Sequence, residues 1–205
     1  SEMCIRDSVR PVAWRGSEMM AISAQKNTIH FAIATWEWGS YFDPKIKENG
    51  IALNISKWKK PAPDTIPWDT KAAGLYMINT LSKHEAEKDG FNDSMMLDSD
   101  GYVAEATGAN VFFIDENKKE IHTPIPDCFL DGITRRTIME IAKDKGFNII
   151  ERKMNLDELN NFDACFLTGT AAEVTPVSQI GDYKFKVTPT IGELFDKYLE
   201  IVNRT

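Results

Sequence analysis

Cysteine is scarce: Cys4, Cys128 and Cys165 are the only three in 205 residues. None forms a C-x-x-C pair and an odd number offers no disulfide framework, so the thiols are expected to stay reduced. Cys165, inside the apolar run Ala164-Cys165-Phe166-Leu167, reads as a small buried hydrophobe. Histidine is equally sparse, and His30, His84 and His122 are too scattered for a ligand set, so no metal is expected. Basic charge is also short. Lys plus Arg total 24 against 31 Asp plus Glu, a formal net charge of -7. No basic run could track a phosphate backbone, which argues against nucleic acid as a partner. No apolar run approaches the length of a bilayer span, and the N-terminus lacks a secretory pattern of basic and then apolar residues. The expected compartment is the cytoplasm.

What is present suits a globular fold. A 42% hydrophobic composition over 205 residues can bury a real core in one large domain or one and a half. Residues 1–8 show neither strand nor helix periodicity and run straight into Val9-Arg10-Pro11-Val12-Ala13-Trp14. The run His30 to Trp38, rich in apolar, β-branched and aromatic residues, predicts a buried strand, and Ile51 to Ser56 another, with a loop between them. Lys59 to Pro67 carries three prolines and reads as a stiff connection toward Lys71. Helical spacing over Ala72 to Lys88 puts Leu75, Ile78 and Ser82 on one side, with Gly90 as its stop. Short strand-like runs at 94–97, 101–105, 110–114 and 120–123 suggest an antiparallel meander. A helix follows over Thr134 to Lys145, closed by Gly146, then strands at 147–152, 164–169 and 173–180. A last helix carries Ile191, Leu194, Phe195, Tyr198, Leu199 and Val202 as core contacts.

Four stretches could carry chemistry. In Lys71-Ala72-Ala73-Gly74-Leu75-Tyr76, small neighbours leave room around a lysine whose amine could hold an aldehyde cofactor covalently; a solvated surface lysine is the alternative. Glu105 stands among small residues after a predicted strand. If partly buried it needs a cation, for which a protonated pyridine nitrogen would serve, and otherwise it is a salt-bridged or solvated acid. Leu130-Asp131-Gly132-Ile133-Thr134-Arg135-Arg136 places a glycine turn at a helix start, where unpaired N–H groups and the helix dipole favour an anion, although an ordinary cap has the same pattern. In Leu167-Thr168-Gly169-Thr170-Ala171-Ala172-Glu173 the small residues permit close backbone approach to a ligand, and a plain hairpin is equally consistent.

Together, K-x-x-G-x-Y, G-Y-x-x-E-x-x-x-x-N, L-x-G-I-T-R and G-T-A-A-E-V-T-P occur in an order and at separations that resemble the class IV family of pyridoxal-phosphate enzymes. The resemblance is greatest to the branched-chain amino acid aminotransferases and covers nearly everything from Val9 onward. It implies that Lys71 holds pyridoxal 5'-phosphate covalently and shuttles a proton during transamination. Tyr76 would hydrogen-bond the ring's phenolic oxygen, and Glu105 would keep the ring nitrogen protonated. Leu130, Gly132, Ile133 and Thr134, with the Thr170 hydroxyl, would cradle the phosphate. Thr170 and Ala171 would offer backbone donors to the substrate carboxylate, Trp38 and Tyr41 would wall the side-chain pocket, and Arg10 would bind the distal carboxylate of a glutamate donor.

The implied reaction is exchange of an amino group between leucine, isoleucine or valine and 2-oxoglutarate, within branched-chain amino acid biosynthesis. Rivals of the same fold are D-amino acid aminotransferase and aminodeoxychorismate lyase; a non-catalytic scaffold is a third reading. The implied fold is α+β, the D-amino acid aminotransferase-like arrangement, in a homodimer or an assembly of dimers. The expected division is a non-native leader at 1–8, the end of a small α/β domain at 9–37, an interdomain loop at 38–48 and a large pseudo-barrel cofactor domain at 49–205. Two departures stand out. Leu75 replaces the family's usual asparagine, and Ser8 stands where the family has a tyrosine, in a chain expected to lack the family's phosphate-binding arginine.

Overall fold

The computed structural model describes residues 7–38, 42 and 44–203. The chain divides into two units, Ser1–Tyr41 and Phe42–Thr205. In the first, β1 (Asp7–Arg15) and β2 (Ile29–Glu37) pair antiparallel, with Val9 opposite Thr35, Val12 opposite Ala32 and Trp14 opposite His30. β-Branched and aromatic residues suit such cross-strand pairs, and the Trp14 and His30 rings stack with centroids 5.4 Å apart. Pro11 is tolerated because a two-stranded ribbon has only edge strands. The connection is tied by Asn27 Nδ2 donating to the Gly16 carbonyl at 2.6 Å and by Arg15 donating to the Ala24 carbonyl at 2.7 Å. Asp7 and Ser8, expected within an irregular leader, belong to β1 and face Glu37 and Trp36. The strand expected from His30 is exposed along its length rather than buried.

The second unit begins with a short helix α1 (Pro44–Asn49) where a loop was expected, followed by β3 (Ile51–Ile55). A 3-10 turn at Ala73–Leu75 leads into α2 (Tyr76–Lys88). Then come β4 (Asp93–Leu97), β5 (Val103–Ala106), β6 (Asn110–Asp115) and β7 (Glu120–Thr123), then α3 (Ile133–Asp144) and β8 (Asn148–Glu151). A 3-10 segment at Leu156–Asn161, β9 (Ala164–Gly169), β10 (Glu173–Ile180), the short β11 (Tyr183–Lys184) and α4 (Pro189–Val202) complete it. Gly90 and Gly146, just beyond α2 and α3, take left-handed φ values of 83° and 84°. Glycine stops a helix this way at no steric cost.

The strands form one mixed sheet in the order β5-β4-β3-β10-β9-β6-β7-β8, with β11 beside β10. The expected meander is therefore split. β4 pairs with β5 and β6 with β7, both antiparallel, but β3, β10 and β9 lie between the two pairs. A tight turn in which Ala106 N–H donates to the Ala109 carbonyl at 2.9 Å sends β5 and β6 to different neighbours. Alternation of residues predicts a strand but not its partner.

The middle of the sheet is covered on both faces. Along β6, Val111 and Phe113 enter one apolar cluster while Phe112 and Ile114 enter the other, and along β9 Cys165 and Leu167 oppose Ala164 and Phe166. One cluster is closed by α3 and α4 through Ile138, Ile141, Ile191 and Leu194, and there Phe112 and Phe166 stack at 5.0 Å. The other gathers Ile51, Leu53, Met95, Val177 and Ile180 with Met154 and Phe185. α2 differs: it buries Asn79, Ser82 and Ala86, so its inward stripe is largely polar, and of Leu75, Ile78 and Ser82, expected on one side, Ser82 is buried while the other two are half-buried. Ser82 Oγ lies 2.7 Å from Ser56 Oγ. Among the described residues no helix is long and apolar enough to cross a membrane, and no group of three acidic, histidine or cysteine side chains is arranged for a metal.

Candidate active site

A cleft of about 390 Å³ opens in the second unit, within the size range of small-molecule sites. Its wall is assembled from segments far apart in sequence: the proline-rich approach to α2, the ends of β5 and β6, the 128–134 turn, and the β9–β10 turn. Lys71, Tyr76, Glu105, Leu130, Gly132, Ile133, Thr134, Thr170 and Ala171 all line it. Arg10 and Trp38 lie in the first unit, whereas the lining comes wholly from the second. Arg10 is exposed on β1, and Trp38 sits with its ring 5.5 Å from that of Trp36. Tyr41 lies outside the described residues.

Glu105 is buried at 8% exposure, and the cation against it is a residue that sequence reasoning placed in a mere connector. Lys60 Nζ lies 2.8 Å from Glu105 Oε1, with Lys60 itself 7% exposed. Burial pushes the Glu105 carboxyl above the usual carboxylate range. The Lys60 ammonium is the chief opposing influence, with Lys71 adding to it and Asp93 working the other way. Lys71, by contrast, is exposed in the cleft and makes no hydrogen bond or ion pair with any described residue. Of two lysines in one cleft, one amine is held by a carboxylate and the other is available.

Asn110 joins the carboxylate to the opposite wall. Its Nδ2 donates to the Leu130 carbonyl at 3.0 Å and to Glu105 Oε2 at 3.3 Å. Its Oδ1 packs so closely on Gly132 that a Cβ there would fall 2.5 Å away, so any larger residue would force the Asn110 side chain to move. Gly132 caps α3 in an extended conformation with no side chain bonded across the helix end. The first N–H groups of a helix have no partner within it, and here Gly132, Ile133 and Thr134 themselves line the cleft. Arg135 and Arg136 do not. Arg135 is buried and donates to Asp131 at 2.7 Å, Glu151 at 2.7 Å and the Pro124 carbonyl at 3.0 Å.

Two buried polar atoms in the lining, Thr168 Oγ1 and Asn79 Oδ1, lack a partner among the described residues. Such groups are costly to bury unless something bonds them. Asn79 Nδ2 donates to the Thr107 carbonyl at 2.6 Å, and Thr107 Oγ1 donates to Asp93 Oδ1 at 2.5 Å. Burial raises the Asp93 carboxyl. Asn79 stands one helical turn beyond Leu75, so the polar group missing at 75 has a counterpart on the same face. Cys128, also lining the cleft, has its thiol pushed up to about 12, first by burial and then by Asp127. Cys165 is raised by burial as well.

An uncapped helix start, an unpaired lysine amine, orphaned buried acceptors and a cation-paired carboxylate facing one space suit a small ligand with an anionic end and a ring. Residues 3–180 match the family described as amino-transferase class IV. The chain is 40% identical over 194 residues to a probable branched-chain-amino-acid aminotransferase of Rickettsia felis, covering 94% of this chain and 65% of that one. It is 35% identical over 198 residues to the branched-chain-amino-acid aminotransferase of Pseudomonas aeruginosa, covering 95% of this chain and 64% of that one. Among solved structures, the branched-chain aminotransferase of the thermophilic archaeon Thermoproteus uzoniensis with norvaline superposes with a TM-score of 0.88 at 29% identity, over 96% of this chain and 64% of that one. The chain thus spans just under two thirds of these relatives' length, and its fold is the α+β fold of the solved enzyme. On these grounds, the chain belongs to the class IV aminotransferases.

Proposed function

We propose that this chain carries the cofactor site of a pyridoxal-phosphate-dependent aminotransferase that exchanges an amino group between branched-chain L-amino acids and 2-oxoglutarate. The observation that carries this reading is the convergence of Lys71, Tyr76, Glu105, the start of α3 and Thr170-Ala171 on one cleft. Pyridoxal phosphate would supply an electron sink for the substrate α-carbon. Lys71 offers a free amine for covalent attachment and for carrying a proton. Tyr76 is the donor for the ring's phenolic oxygen and Glu105 the anion for its nitrogen. The N–H groups of Ile133 and Thr134, with the Thr170 hydroxyl, receive the phosphate at the positive end of α3. The backbone of Thr170 and Ala171 serves the substrate carboxylate. In this reading Arg10, Trp38 and Tyr41 are substrate-binding residues, and the working assembly is a cytoplasmic homodimer. The exposed apolar side chains Met77 and Leu81 on α2 are consistent with further association.

Replacement of Lys71 is the test. Lys71→Ala is expected to abolish the absorbance of covalently held pyridoxal phosphate and to reduce leucine turnover by at least about a thousandfold while leaving the fold intact, because an exposed amine has a chemical and not a packing role. Wild-type turnover by this variant overturns the assignment. In a donor panel, reaction of L-leucine supports the substrate class; reaction of D-alanine alone points to the D-amino acid rival. Failure to bind pyridoxal phosphate leaves the scaffold reading.

A further inference from the structure

Lys60 is the least expected feature of the cleft. It follows β3 in an irregular proline-rich segment, yet its side chain is as buried as a core residue. Its backbone N–H donates to the Leu97 carbonyl at 2.7 Å, which fastens the segment beside the end of β4. That anchor sets the direction of the side chain, whose ammonium meets Glu105 Oε1 across 45 residues of sequence. The two oxygens of Glu105 are treated unequally. Oε1 takes the short charged contact, while Oε2 takes only the longer 3.3 Å bond from Asn110. A carboxylate can accept several hydrogen bonds, so Oε2 is the oxygen with capacity left for a ligand.

The charged groups around Glu105 are few among the described residues. Lys60 comes from the segment before α2, Lys71 from the cleft wall and Asp93 from β4; Cys128 is close enough for Glu105 to raise its thiol further. Of these only Lys60 is in contact. Burial favours the neutral acid, and Asp93 pushes the same way. A neutral carboxyl could hydrogen-bond a ring nitrogen but could not stabilise positive charge on it.

We propose that Lys60 is a positioning residue that holds Glu105 ionised and turns its Oε2 toward the ligand, so that the Lys60–Glu105 pair sets the charge presented to the cofactor ring. The last part rests on the function proposed above; the first part does not. Lys60 therefore differs from Lys71 in kind. Its amine is committed to a carboxylate 2.8 Å away, whereas a covalent anchor must be free to react.

The experiment follows the Glu105 side-chain carbon by NMR through a pH titration of the chain without added cofactor, in the wild type, Lys60→Met and Lys60→Arg. Loss of the cation is expected to move the Glu105 midpoint up by about one pH unit or more, and the arginine, which keeps the charge, to restore most of it. An unchanged midpoint in Lys60→Met overturns the inference whether or not the protein binds a cofactor. If Lys60→Met does not fold, Lys60→Met with Glu105→Gln decides. Recovery of the fold shows that the unpaired carboxylate was the fault, and continued unfolding shows that Lys60 serves the fold itself and sinks the idea. Pyridoxal phosphate is then added. In Lys60→Met the absorbance of the bound form should depend on pH differently from wild type and from Lys60→Arg, and an identical profile in all three overturns the proposed link to the ring. Absence of any bound form in the wild type refutes the cofactor reading while the carboxyl titration stands.

Discussion

The cleft depends on single side chains whose space is already taken. Gly132 illustrates this, because its missing Cβ is the room that Asn110 Oδ1 occupies. Gly132→Ala should force Asn110 to move, weakening its bonds to Leu130 and Glu105. The expected cost is about 1–3 kcal/mol, in the range for a buried polar group losing its partner. Chemical denaturation would measure it, and Asn110→Ala should remove much of the penalty of adding the methyl group. Equal penalties with and without Asn110 would show that the clash lies elsewhere. The same crowding explains why Asn110, seen in the sequence only as the end of a motif, acts as a tie between two walls. Its partners are 5 and 20 residues away, and nothing in local periodicity distinguishes such an asparagine from a strand-end cap.

Among the elements, β6 and β9 bear most of the packing. Each is buried on both faces, and their side chains alternate between the two apolar clusters. Phe166 stacks on Phe112 and is fully buried. Phe166→Ala should cost about 3–5 kcal/mol, the usual range for a deleted core aromatic. A urea unfolding midpoint close to wild type would mean that the space between the sheet and the helices α3 and α4 collapses readily. Since β9 runs directly into Thr168 and the Thr170-Ala171 turn, the variant should also loosen that wall of the cleft, visible as faster amide exchange there than at α2. α2 was legible as a helix from its spacing and its glycine stop, but its inward face was not. The helix turns Asn79, Ser82 and Ala86 inward because its neighbours there are polar groups, Ser56 and the Thr107 carbonyl.

For the molecule as a whole, two buried carboxyls make stability depend on pH. Burial raises both Asp93 and Glu105. A carboxyl whose folded pKa exceeds its unfolded value contributes stability that is full below the unfolded value and is lost as pH rises through the folded one. The thermal midpoint should therefore carry a falling component as pH is raised from the ordinary aspartate value of 3.8. Asp93→Asn keeps an acceptor for the Thr107 hydroxyl and the Ser94 N–H, and should flatten that fall without abolishing the part owed to Glu105. Stability profiles of equal slope in the two proteins would mean that Asp93 is already ionised throughout the range. Asp115 and Glu158 are shifted down, chiefly by hydrogen bonds from the Lys118 side chain and from the Asn155 backbone, and oppose the trend.

Most of the strands, α3 and α4 were determined by the sequence acting locally. Alternation over two residues and recurrence over three or four select strand and helix through the immediate neighbourhood of each side chain. Glycine at 90 and 146 ended helices for the same local reason. The four motifs were also legible, since each couples small residues to a reactive or hydrogen-bonding group within a few positions. Tertiary structure alone decided that β3, β10 and β9 separate β5 from β6, because a strand's partner depends on which apolar faces must be covered and not on its own pattern. It likewise decided that β2 is exposed, that Glu105 takes its cation from Lys60, and that a lysine beside three prolines is buried while Lys71 is not. A buried charge is tolerated only where a distant segment brings its counter-charge within contact, and that meeting is arranged by the order of strands in the sheet.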